Sequence, residues 1–168
     1  DEGPRPDQAL GVRLRLQAEE KKLIGARAAG LVPNGAVIIV NSGTTALALA
    51  RSLRHHRDLT IAINNLRLPA EVAPDSLRDL YLFGGSVRTV TQATTGPLSF
   101  QMTPGGREID VMFDLAFIAV GAVSGDGYST SNLADAAMMA AMMQRANRVV
   151  ILADSTKFNR RLFAQISG

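Results

Sequence analysis

The stretch Ala36-Val37-Ile38-Ile39-Val40-Asn41-Ser42-Gly43-Thr44-Thr45 decides the fold. Its first five residues form an unbroken apolar run, too short for a helix and suited to a strand covered on both faces. The run stops at Asn41-Ser42-Gly43, where small polar residues permit a turn, and helical spacing starts at Thr44. A buried strand feeding directly into a helix is the first half of a strand-helix-strand unit, which implies a parallel sheet.

The same alternation continues outward. Apolar runs at 59–63 (LTIAI), 80–83 (LYLF), 115–120 (LAFIAV) and 149–153 (VVILA) are further strands. Helical spacing occupies 16–31, 44–55, 66–72 and 133–147. The fold expected is α/β, an open, mostly parallel sheet with helices on both faces. Residues 1–15, with Pro4, Pro6 and the alternating Arg13-Leu14-Arg15-Leu16, fall outside this pattern and are expected to be a linker, an arm or an extra strand. Residues 16–168 then form one domain.

Composition agrees with a single globular unit: 168 residues, 46% apolar and 20% charged, are enough to bury a core. No apolar run is long enough to span a bilayer, and the acidic, polar start DEGPRPDQ is unlike a signal peptide, so no membrane partner and a cytoplasmic location are expected. With no cysteine and only His55 and His56, no metal site and no cofactor are expected. The net charge of +3 comes from scattered arginines without a dense run, so direct nucleic-acid binding is not read from these residues.

Chemistry concentrates where strands end. Ser42, Gly43, Thr44 and Thr45 leave backbone N–H groups at a positive helix terminus, which suits a phosphate or carboxylate; alternatively Ser42 or Thr44 simply caps the helix. The stretch is neither a Walker loop nor a GxGxxG fingerprint, and Asn64-Asn65 stands where a dinucleotide site places an acid. After the third strand, Gly84 and Gly85 permit a tight turn that lets Arg88 reach an oxyanion. Gly121 to Gly127 follows the fourth strand and Asp154-Ser155-Thr156-Lys157 the fifth. In open α/β sheets ligands bind beyond the carboxyl ends of the strands, so these loops converge on one site.

In order and spacing, Ser42-Gly43-Thr44-Thr45, Asn64-Asn65, Gly84-Gly85-Ser86-Val87-Arg88, Gly96, Phe113-Asp114, Gly121 to Gly127 and Asp154-Ser155-Thr156-Lys157-Phe158 resemble the C-terminal effector-sensing domain of DeoR-type bacterial transcriptional repressors. The resemblance implies a Rossmann-like fold shared with ribose-5-phosphate isomerase and CoA transferases. It also implies a phosphorylated sugar or polyol effector, no catalysis, and operator DNA bound only through an N-terminal winged helix-turn-helix that precedes these residues in the family. The family's chain also continues past Gly168 into another strand, so the sequence is expected to be a fragment. Carried over, Ser42, Gly43, Thr44, Thr45 and Lys157 would hold the phosphate, with Asn65, Gly84, Gly85, Arg88 and Gly121 around it. Asp126 and Gly127 would face the sugar. The chain departs from the family at Asn41, where an aspartate is usual, and after Thr130, where Asp135 and a run of alanine and methionine replace a glutamate and basic residues.

An isomerase on the same fold is the rival. It needs a general base just after the fourth strand, where this chain reads Val120-Gly121-Ala122-Val123. Finally, the helix at 133–147 is apolar almost all round, which predicts a homo-oligomer contact through Met138, Met139, Met142 or Met143.

Overall fold

The computed structural model describes residues 6–98, 111–130, 132–159 and 164–167. Helix α1 (Pro6–Ala29) begins on a proline, which suits a first helical position, and ends before Gly30 and Pro33. Strand β1 (Val37–Val40) leads into α2 (Thr44–Arg51), followed by β2 (Leu59–Ile63) and β3 (Leu77–Leu82). Two hairpins follow: β4 (Ser86–Arg88) with β5 (Ala93–Thr95), and, after β6 (Phe113–Ala119), β7 (Ala122–Ser124) with β8 (Gly127–Thr130). Helix α3 (Leu133–Gln144), β9 (Ala146–Leu152) and β10 (Ala164–Ser167) close the order.

Five strands form one parallel sheet in the order β3-β2-β1-β6-β9. From β1 the chain winds outward to β2 and β3, then crosses to β6 and β9 on the other side. The switch point therefore lies between β1 and β6, at the carboxyl ends where ligands bind in such sheets.

Continuous apolar strands follow from cover on both faces. Ile38 and Val40 of β1 join Ile61, Ile63 and Phe117 under α1 and α2, with Ala28, Leu49 and Leu53 completing that core. Ile39, one residue out of phase, points the other way with Ala62, Ala116 and Ile118 toward α3 and its Met138, Met139 and Met142. Asp114 secures the base of the central pair, its carboxylate accepting the Val37 N–H at 2.8 Å.

Several expectations change. From Pro6 onward the stretch expected to be a linker or strand is the start of α1, because Arg13-Leu14-Arg15-Leu16 carries good helix formers. The helix expected at 66–72 is a 3₁₀ turn, Leu68–Ala70, cut short around Pro69 and ahead of Pro74. Expected helix 44–55 ends at Arg51, and 133–147 ends at Gln144 because Ala146 already pairs in β9. Met138, Met139 and Met142 do not await a second subunit: each is at most 8% exposed, buried by this chain's own sheet side. A small antiparallel sheet, β10-β8-β7, adds to that cover, with Ile166 of β10 in the same cluster.

Candidate functional site

The loop from β1 to α2 is pinned before it reaches the ligand side. Asn41 is wholly buried, donating Nδ2 to the Ala119 carbonyl at 2.8 Å and accepting the Ala119 N–H on Oδ1 at 2.7 Å. This amide joins the ends of β1 and β6 across the switch point. Gly43 then takes φ 146° with its α-carbon close to Ala119, where an added Cβ would sit 3.1 Å from the Ala119 side chain. Only glycine adopts that conformation at little cost.

Gly43 is also the N-cap of α2, and it supplies no side chain to cap the helix; no acid lies in the first turn. The first-turn N–H groups, normally satisfied by a serine, threonine or aspartate cap, are thus left for something else at the positive end of the helix dipole. Of the two readings of Ser42-Gly43-Thr44-Thr45, simple capping by Ser42 or Thr44 is the one the geometry removes.

A cavity of about 400 Å³ opens there. Of the residues singled out in the sequence, Ser42, Gly43, Thr44, Thr45, Asn65, Arg88, Gly121 and Lys157 line it. Gly84, Gly85, Asp126 and Gly127 are not among the lining residues. Gly85, at φ 138°, has the Thr95 carbonyl so close that a Cβ would lie 2.2 Å from its oxygen; it brings β4 against β5 and so aims Arg88. Asp126 and Gly127 sit at the turn of the β7-β8 hairpin, where Asp126 is exposed, its N–H donates to Ser124 Oγ and its carbonyl accepts from Gln165. A glycine-rich turn that follows a strand was expected to fold over the sheet edge, and the hairpin instead carries its tip away.

Sequence reasoning passed over Lys21, Arg67 and Thr130, gave Met139 to a subunit contact and left Asp135 without a role, yet all five line the cavity. Lys21 belongs to α1, whose inner face is spaced Lys21, Ile24, Gly25, Ala28; that periodicity was the available signal. Asp154, 1% exposed, accepts from the Thr156 N–H and hydroxyl and lies 3.9 Å from the Lys21 ammonium. Glu20 grips the adjacent Ser155 through its N–H and hydroxyl. Together these bonds fix the 3₁₀ turn Ser155–Lys157 that carries Lys157 to the cavity wall.

Arg88 Nε, also in the lining, lies 3.6 Å from Asp135 Oδ2 and makes no hydrogen bond among the described residues, although it is buried. Burial pushes the Asp135 carboxyl above the usual carboxylate range, and the Arg88 charge draws it part of the way back. Asn132 caps α3 by accepting the Asp135 N–H and so holds that carboxyl at the cavity. Four cations, Lys21, Arg67, Arg88 and Lys157, line the cavity with one carboxylate, Asp135, and even with Asp154 behind Lys21 the positive charge is in excess. Among the described residues no three histidine, cysteine or acidic side chains gather as a metal site, and no helix is long and apolar enough to cross a membrane.

Fold and cavity define an open parallel α/β domain with a cation-lined recess at its switch point. The chain belongs to the family described as the DeoR C terminal sensor domain, which matches residues 16–168. Among its relatives, the HTH-type transcriptional repressor CsqR of Escherichia coli (strain K12) is 28% identical over 153 residues, covering 90% of this chain and 57% of the relative. The glycerol-3-phosphate regulon repressor of the same organism is 25% identical over 157 residues, covering 93% and 60%. This chain thus spans less than two thirds of these relatives. Its fold is similar to that of ribose 5-phosphate isomerase from Plasmodium falciparum (TM-score 0.55, 10% identity, 84% of this chain and 53% of that one). It is also similar to the Pyrococcus horikoshii OT3 translation initiation factor eIF-2B (TM-score 0.57, 20% identity, 94% and 53%).

Proposed function

We propose that the cavity binds a phosphorylated sugar or polyol and that this binding controls an N-terminal helix-turn-helix on operator DNA, as the names of its repressor relatives suggest. The observation that carries the reading is the uncapped start of α2, open to a cavity into which Lys21 and Lys157 also reach. A phosphate dianion uses both features: backbone N–H groups along the helix axis and charge-assisted bonds from lysine. Arg88 and Asp135, which also line the cavity, offer a donor and an acceptor suited to hydroxyl groups.

A thermal-shift screen over phosphorylated sugars and polyols tests this reading. A ligand at 100 times its dissociation constant stabilises by about 2.7 kcal/mol, or roughly 5–10 °C for a domain of this size. Lys157→Ala should weaken a phosphorylated hit by about tenfold or more, and its dephosphorylated analogue by far less. Equal losses for both would place the phosphate elsewhere.

The likeness to isomerases keeps one catalytic reading in view, because Asp135 is a carboxyl of raised proton affinity in the cavity. It would be the base. The sensor reading predicts no aldose-ketose turnover in a coupled assay; turnover abolished by Asp135→Asn would replace it with the enzyme.

A further inference from the structure

A buried guanidinium N–H without a hydrogen bond is costly, and Arg88 Nε is in that state among the described residues. Its ion-pair partner, Asp135 Oδ2, stands 3.6 Å away, beyond hydrogen-bond reach. Asp135 is no better matched: burial raises its proton affinity, and Arg88 lowers it through charge alone. The backbone holds the gap open from both sides. Arg88 ends β4, whose hairpin with β5 is tied to the end of β2: the Thr94 N–H donates to the Asn64 carbonyl at 2.9 Å, and the Asn64 side-chain amide donates to the Thr94 carbonyl, also at 2.9 Å. The Leu66 N–H adds a bond of 2.8 Å to the Gln92 carbonyl. Asp135 lies in the first turn of α3, which Asn132 caps and which Ala136, Met138, Met139 and Met142 anchor in the core. Neither backbone moves toward the other without breaking these contacts.

We propose that one hydroxyl group of the effector completes this pair, accepting the Arg88 Nε–H and donating to Asp135 Oδ2, so that the two side chains together select a ligand hydroxylated at that position. This hydroxyl site rests on the phosphorylated sugar or polyol reading and specifies what that ligand carries besides its phosphate. A hydroxyl oxygen set to one side of the Nε–Oδ2 line meets both atoms at ordinary distances, about 2.9 Å and 2.7 Å. Other groups fail. A second phosphate or a carboxylate meets the Asp135 charge, an ammonium meets that of Arg88, a carbonyl accepts but cannot donate, and a methylene leaves both atoms unmatched. Both residues line the same cavity as Ser42, Thr45 and Lys157, so one ligand spans the pair and the proposed anion site. The length of the acid sets the selection. One more methylene adds about 1.5 Å of reach, enough to close the carboxylate onto Arg88 and shut the hydroxyl out.

Calorimetric titration with four probes tests the pair: ribitol 5-phosphate and sorbitol 6-phosphate, beside pentyl and hexyl phosphate, which match their chain lengths and carry no hydroxyl. The parent chain should bind the tighter polyol ester about tenfold or more above the alkyl ester of equal length, the factor expected of a hydrogen bond to a charged group. Asp135→Glu and Arg88→Met should each cut that preference to about twofold or less. Asp135→Asn, whose amide oxygen still accepts at the original length, should keep most of it, which separates the spacing of the pair from a general loss of structure; circular dichroism checks that each variant is folded. Lys157→Ala should weaken the polyol and alkyl esters alike. Polyol and alkyl esters bound equally by the parent chain, as they would be if water fills the gap, would overturn the hydroxyl site and leave the phosphate reading standing. So would a preference that survives Asp135→Glu and Arg88→Met, or one lost as fully in Asp135→Asn as in Asp135→Glu. Four esters that all fail to bind at millimolar concentration, or that ignore Lys157→Ala, would overturn the phosphate reading and the hydroxyl site with it.

Discussion

Asn41 uses both ends of its amide on the backbone of Ala119 and is wholly buried. An aspartate there, as in the family this sequence resembles, accepts the Ala119 N–H but turns its other oxygen on the Ala119 carbonyl. The amide therefore removes a charge and a repulsion beside the proposed anion site. Asn41→Ala strands both Ala119 groups and should cost about 2 kcal/mol in urea unfolding with an unchanged slope. Asp135 acts in the opposite sense. Its folded-state proton affinity is raised chiefly by burial, so its contribution to stability is complete below the ordinary carboxylate range and is lost as pH rises through its higher folded value. Asp135→Asn should accordingly gain thermal midpoint relative to the parent as pH goes from about 4 to 7. A difference that is flat with pH would show that Asp135 is not desolvated in solution.

Among the elements, β1, β2 and β6 were legible because each is an apolar run covered on both faces, and 59–63 coincides with β2; of the edge strands β3 and β9 only the apolar ends could be read, since Arg78, Asp79, Asn147 and Arg148 are exposed. The short hairpin strands were not legible. Ser86–Arg88, Ala93–Thr95 and Ala122–Ser124 are three residues each, mixed in polarity, and owe their pairing to a glycine at a close approach or to the turn between them. The loops after β1 and β9 could be read because small polar residues following a buried strand have few other uses. Lys21 was missed since a lysine on a charged helix resembles a solvated one until the helix is docked, and docking depends on Gly25. A Cβ at Gly25 would lie 2.5 Å from the Ala48 backbone carbon, so α1 and α2 cross in contact there. Gly25→Ala must push the helices apart, costing about 1–3 kcal/mol by thermal or urea unfolding and withdrawing Lys21 from the cavity.

At the scale of the whole molecule, the sheet order places the loops after β1, β2, β6 and β9 and helix α1 around one recess, and the residues proposed to hold the anion are shared among α2, the turn after β9 and α1. A ligand that draws Lys21 and Lys157 together holds α1 to the domain at the same place where Glu20 holds Ser155. The account's central claim is that this recess recognises phosphate. Calorimetric titration of the strongest phosphorylated hit and its dephosphorylated counterpart, into the parent chain and into Lys157→Ala, tests it most directly. The prediction is one site per chain, a dephosphorylated analogue bound about tenfold or more weakly, and a preference that shrinks several-fold in Lys157→Ala. Equal affinity for the two ligands in the parent chain, or a phosphate preference that survives intact in Lys157→Ala, would contradict it.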